Sequence, residues 1–433
     1  MAPTPDSTRA FDDLVDESLD ESVFLWRRWE SELVSLTRNL DEVWSWTEDR
    51  LHGALDGVRT AGPRLVDFGN TALASDDTTT VSVGAALLGS SADPAAVEAV
   101  VSALRTADGQ TLGAIGRGLE LLGAPPVLRA AAAILVEAGT PACTATLCRL
   151  KAFRRVAPGN EIVSAFESDD VSAQVAAVRA AQHLPPNAAE GWIVRGLESQ
   201  DAAVRRAAIE AGVRRGMARA WRMVGAYAAT PDESAGPYLN LLALLGTADD
   251  HDLIYAALRV PPLQRHAIHA LGHVGTVRAA DVCLAGMVHE AIARACGEAY
   301  CWITGAELVR DRLAKEEPPP DVPAFEDDDL DANLVPPPET LWPLPDVDVV
   351  RRHWEARRRT MDAAARHVRG VVASNEGLAA AVETGPMLRR SDLVLELGGR
   401  TKGRYDVETR AFASRQRQMM AAGRAALASG TER

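Results

Sequence analysis

Lysine is almost missing from this chain: of 46 basic residues only Lys151, Lys315 and Lys402 are lysines. A skew of this kind reflects base composition more often than a binding code. Aromatic residues are also scarce, at 5% against 47% hydrophobic, so the core must be filled by Ala, Leu and Val. Small apolar side chains suit close helix packing, and alanine favours the helix intrinsically. Runs of β-branched residues alternating with polar ones are few, which argues against an all-β fold. Five cysteines, Cys143, Cys148, Cys283, Cys296 and Cys301, form no C-x-x-C pair and make neither a disulfide nor a zinc framework. Cys296 and Cys301 flank an aromatic pair on a predicted helix and are expected as small buried packing residues. No apolar stretch is long enough to cross a bilayer, so no membrane association is expected. The acidic opening MAPTPDSTRAFDDLVDESLDES lacks the basic-then-apolar order of a secretory signal, and a cytoplasmic location is expected. Walker A, G-x-G-x-x-G and G-x-S-x-G patterns are absent. A net charge of −14 argues against a surface devoted to nucleic acid or anionic lipid.

What is present is helical periodicity and repetition. Residues 1–20 read as a disordered acidic tail. From residue 21 to 62 a helical hairpin is expected, with Leu25, Trp26, Trp29, Leu33 and Leu36 on one face. Trp26, Trp29, Trp44 and Trp46 are assigned to its contact surface. Next, the turn triplets SDD (168–170), SQD (199–201) and TPD (230–232) recur 31 residues apart, each before an Ala/Leu-rich helix. The closing Asp of each triplet is placed to cap that helix, and Pro262 falls near a first helical position. Units of about thirty residues containing two short helices predict a HEAT-like or armadillo-type α-solenoid over 63–310. Residues 311–345, with PPP twice and EDDDLD between, read as a solvated linker. Residues 346–433 read as a small helical or α+β appendage, with short strands expected at Leu393–Leu397 and Tyr405–Thr409.

Five segments then carry a resemblance: VFLWRRWE (23–30), RLHGALDGVRTAG (50–62), AIHALGHVG (267–275), GEAYCWITGAEL (297–308) and RYDVETRAFASRQ (404–416). In this order they resemble a family of proteobacterial HEAT-like repeat proteins commonly encoded near type VI secretion genes. The resemblance implies a cytoplasmic accessory protein, an adaptor or chaperone for a secreted toxin. That family has no established activity, so the resemblance carries over no catalytic residue.

Two groups of residues remain as site candidates. In QRHAIHALGHVG (264–275), helical geometry at about 100° per residue puts His269, His273 and His266 near 100°, 140° and 160° from Ile268, away from the apolar arc. They are expected on the exposed side. His269 and His273, one turn apart, are weak metal candidates, since no carboxylate or cysteine lies between 264 and 275 and His266 is about 10 Å from His273 along the axis. Asp281, Cys283, His289 and Glu290 are the nearest groups able to complete a shell. No cofactor is expected. The second group is an arginine stripe on a concave face: Arg205, Arg206, Arg214, Arg215, Arg219 and Arg222, with Trp192 and Trp221, opposed only by Glu210. Guanidinium forks suit acidic partners. The resulting expectation is a non-enzymatic scaffold that binds a protein, a type VI component or effector. The alternatives are an immunity protein for a cognate toxin and a HEAT-like DNA glycosylase. The glycosylase would need a carboxylate beside a base-stacking aromatic, which the sequence does not fix.

Overall fold

The computed structural model describes residues 5–316, 340 and 342–428. These are mostly α-helical, with a single two-stranded sheet among them. None of the described helices is long and apolar enough to cross a membrane. The chain divides into two compact units, and its C-terminal part is shared between them rather than forming a body of its own.

The first unit comprises Met1–Trp221, Pro386–Arg389 and Lys402–Ala425. Its opening helix, Pro5–Glu32, takes the place of the acidic tail expected over 1–20, of which residues 1–4 lie outside the described residues. The apolar face continues N-terminally through Val15 to Ser22, Leu25, Trp26 and Trp29, all buried. Two of its acidic residues find partners: Arg64 donates to Asp12, and Arg50 donates to Glu21 at 3.1 Å. This helix packs on Asp49–Arg59, giving the expected hairpin, but only part of the tryptophan set sits within it. A π-helical turn at Trp44–Glu48 shifts the helical phase. Trp46 is thereby 56% exposed, while Thr47 and Glu48 are buried.

Beyond the hairpin, alternate helices pack on one another in sequence: Thr78–Gly89 on Gly109–Leu122, that on Pro141–Arg154, that on Val171–Ala181, and that on Ala202–Arg214. Pro94–Thr106, Pro125–Ala138, Glu161–Glu167 and Pro186–Leu197 intervene along the chain. A core of small and branched side chains, including Val100, Ile115, Leu119, Ala131 and Leu147, runs through the earlier pairs. Backbones come close where glycine permits. A Cβ on Gly118 would lie 2.3 Å from the Ser82 carbonyl oxygen. Each triplet aspartate caps as its position required: Asp170 accepts from the Ala173 amide, Asp201 from Ala203 and Val204, and Asp232 from Ser234.

The second unit comprises Arg222–Gly385, Arg390–Thr401 and Ala426–Arg433. Here Gly236–Leu245, Gln264–Val274 and Glu290–Thr304 again pack each on the next. Pro261–Leu263 forms a 3₁₀ turn leading into the second of these. The PPP and EDDDLD segments of the expected linker lie outside the described residues. Its two ends are held together, because the Lys315 amide donates to Leu344 and the Asp346 amide to Leu313, each at 2.8 Å. Helix Val347–Arg358 follows and packs on Val277–Gly286, with Trp354 Nε1 donating to Asp281 at 2.7 Å. His367–Val368 and Val371–Val372 pair antiparallel.

The strand expected at Leu393–Leu397 is instead inside helix Arg390–Arg400. Leu393, Val394, Glu396 and Leu397 are all buried, a helical face that the alternating leucines disguised. Tyr405–Thr409 is irregular. The closing helix is Ala413–Ala428.

Candidate functional site

The arginine stripe resolves into separate tasks. Arg205 donates to the carbonyls of Ser199 and Gln200, at 2.8 and 2.7 Å, and Arg215 to those of Gln182 and Leu184, at 3.0 and 2.8 Å. Both therefore satisfy carbonyls left over where helices end. Arg206 lies 3.9 Å from Glu210, and Arg219 reaches Glu198 at 2.8 Å. Asp406 and Glu210 act electrostatically on Arg214, whose hold on its proton burial weakens. Trp192 is stacked on Phe166 at 5.1 Å, with the Arg195 guanidinium over both rings. Trp221 is half-buried. Arg222 is exposed and belongs to the second unit. Arg206 and Arg219 are the half-exposed guanidinia of the stripe within the first unit.

The segment RYDVETRAFASRQ gathers much of the first unit's charge. Asp406 and Glu408 face Arg155, whose Nε lies 2.8 Å from Asp406 and whose Nη1 lies 3.3 Å from Glu408. Arg410 lies over Phe153, 3.9 Å from Glu120, and Arg117 joins Glu120 to Glu30 and to the Arg410 carbonyl. Burial, and then the Arg155 charge, push His183 down to about 4, so it is neutral near pH 7. Arg117 and Glu30 also stand on the wall of a cleft of about 390 Å³ lined further by Trp26, Arg27, Thr78 and Ser82. The segment's charges therefore tie repeat helices together. Periodicity gave no sign of this, because the partners are distant in sequence.

In the second unit His266 lies on the exposed side as expected, whereas His269 and His273 do not. His266 is exposed, His269 is half-buried, and His273 is fully buried. The face opposite the apolar arc carries its own cover, since Asp392 on helix Arg390–Arg400 approaches it. Nε2 of both His269 and His273 lies 3.0 Å from Asp392 Oδ2. The Trp302 ring meets His273 edge-on at 5.9 Å. Burial pushes the Asp392 carboxyl up, but the hydrogen bonds and charge of the two imidazoles outweigh it and hold the group far below the ordinary carboxylate range. Its place in the first turn of a helix also favours the anion.

One side chain fixes this arrangement. Arg366 Nε donates to the His273 carbonyl at 2.5 Å, and its Nη atoms hold the buried Glu396 carboxylate, one pair at 2.8 Å. The group completing the histidine pair thus comes from neither Asp281, Cys283, His289 nor Glu290, but from 119 residues downstream of His273. No signal near the histidines pointed to it.

No protein-family model matches the chain, and no curated protein matches it.

Proposed function

We propose that the protein is a non-enzymatic scaffold: a HEAT-like α-solenoid whose repeated helix pairs hold a protein partner. The observation that carries this reading is the regular succession in which each helix packs on the next but one, from Thr78–Gly89 to Ala202–Arg214 and again from Gly236–Leu245 to Glu290–Thr304. Such units cover one another's apolar faces while leaving the ends and outer faces of many helices free for modest contacts along a partner. The resemblance of the five segments to proteins encoded near type VI secretion genes supports a component or effector of that machinery as the partner. Arg206 and Arg219 fit acidic groups on it. The test is copurification from cells with an intact secretion locus, followed by mass spectrometry, using the wild type and an Arg206→Glu/Arg219→Glu variant. Recovery of a protein from that locus by the wild type, reduced in the variant, is the expected result. Recovery of nothing from the locus would overturn the assignment of the partner.

A further inference from the structure

We propose that His269, His273 and Asp392 form a binding site for one divalent transition-metal ion of the zinc class, which staples helix Gln264–Val274 to helix Arg390–Arg400. The ligand atoms of the three residues lie within 4.8 Å of one another, and both imidazole nitrogens stand 3.0 Å from the same carboxylate oxygen. Donors bound to one ion at about 2.0–2.1 Å, and roughly 90–110° apart, are themselves about 2.9–3.4 Å from each other. The two nitrogen-to-oxygen spacings are thus already those of a coordination shell. The donor set, two imidazoles and one carboxylate, is that of zinc and its neighbours rather than of calcium or magnesium, which take oxygen.

Preorganisation is built in around the donors. His269 and His273 are one turn apart on a single helix. The Arg366 guanidinium fastens the backbone of His273 to Glu396, which stands one turn beyond Asp392 on the other helix. This is the kind of outer contact that orients metal ligands. His273 is enclosed, whereas the side chains of His269 and Asp392 keep 33% and 18% of their exposure. An ion can therefore enter from solvent, and coordination positions beyond the three protein donors are left to water. On binding, each Nε2 gives up the proton it shares with Asp392, a protonated ring to solvent and a neutral ring by transfer to Nδ1, freeing the lone pair. Two nitrogen–metal bonds and one oxygen–metal bond form as water ligands leave the ion. The two hydrogen bonds to Asp392 are exchanged for these three bonds.

The experiment uses the untagged full chain, stripped with a chelator and desalted, then titrated with ZnCl2 calorimetrically. Co²⁺ serves as a spectroscopic substitute. One equivalent of zinc per chain is expected, with a rise in Tm of the second unit and visible Co²⁺ absorption of a mixed nitrogen and oxygen site. Because His273 is buried and its loss can unfold the helix, the informative variants are His269→Ala and Asp392→Asn. Their metal-free circular dichroism should match the wild type. Each should bind zinc at least tenfold more weakly and lose the Tm response. A His266→Ala variant should bind as the wild type does. Zinc binding by His269→Ala and Asp392→Asn equal to the wild type, or no binding by the wild type, would overturn the site and leave the three residues as a hydrogen-bonded tie.

Discussion

Glu48 offers a quantitative test of how the first unit is closed. Its carboxyl is buried beside Trp29. It accepts from Trp29 Nε1 at 3.0 Å and from the amide of Ala413, the first residue of the closing helix, at 2.8 and 3.0 Å. Burial pushes its pKa up from 4.5 to about 7, against the opposing effects of those two donors and of the Arg417 charge. A carboxyl whose folded value exceeds its unfolded one is favoured in its neutral form. Its contribution is complete below pH 4.5 and is lost as the pH rises through 7. At 1.36 kcal/mol per pH unit the loss between those limits is about 3 kcal/mol. Glu48→Gln keeps a carbonyl to accept from both donors and removes the titration. Guanidinium denaturation followed by tryptophan emission, at intervals from pH 5 to 8, compares the two proteins. Their stabilities should be similar near pH 5, and the wild type should fall behind by about 3 kcal/mol near pH 8. Parallel curves, or a gap that widens towards acid, would refute the argument.

Five further substitutions probe the packing and the helix caps. Gly118→Ala should destabilise the first unit by about 2–3 kcal/mol, since its Cβ would lie 2.3 Å from the Ser82 carbonyl and 2.7 Å from the Ala86 amide nitrogen; Gly113→Ala, in the same helix but with open space around it, should be neutral or stabilising. Thermal unfolding of the pair separates steric contact from helix propensity. Asp201→Ala and Asp170→Ala, which delete N-caps, should each cost about 1 kcal/mol in denaturant titration, and no change would deny the caps an energetic role. Arg366→Ala leaves Glu396 buried with Arg400 as its remaining guanidinium partner in the pair. It should cost the second unit about 2–3 kcal/mol, read as a lower midpoint for that unit.

Features set by neighbours a few residues away were legible in the sequence. The aspartate caps at 170, 201 and 232, the helical hairpin and the alanine-filled helix pairs all follow from short-range spacing and backbone chemistry. Features set by distant neighbours were not. Nothing beside His273 announces that Asp392 covers it, and nothing beside Arg215 announces the carbonyls of Gln182 and Leu184. Leu393–Leu397 reads like a strand because its leucines fall at alternate positions and its one charged residue, Glu396, is buried against the distant Arg366. The acidic residues before Glu21 suggested a disordered tail, yet Arg64 arrives from elsewhere in the chain to pair with Asp12, and Arg50 with Glu21. Net composition misleads whenever the compensating charge arrives late.

The amide of Ala413 on Glu48 bridges 365 positions of chain. A ribosome that has released the first 221 residues has still to make the segment 402–425 that belongs with them. Until then the Glu48 carboxyl and the flank of Trp29 await their cover. A premature stop before position 402 would therefore injure the beginning of the protein as surely as its end.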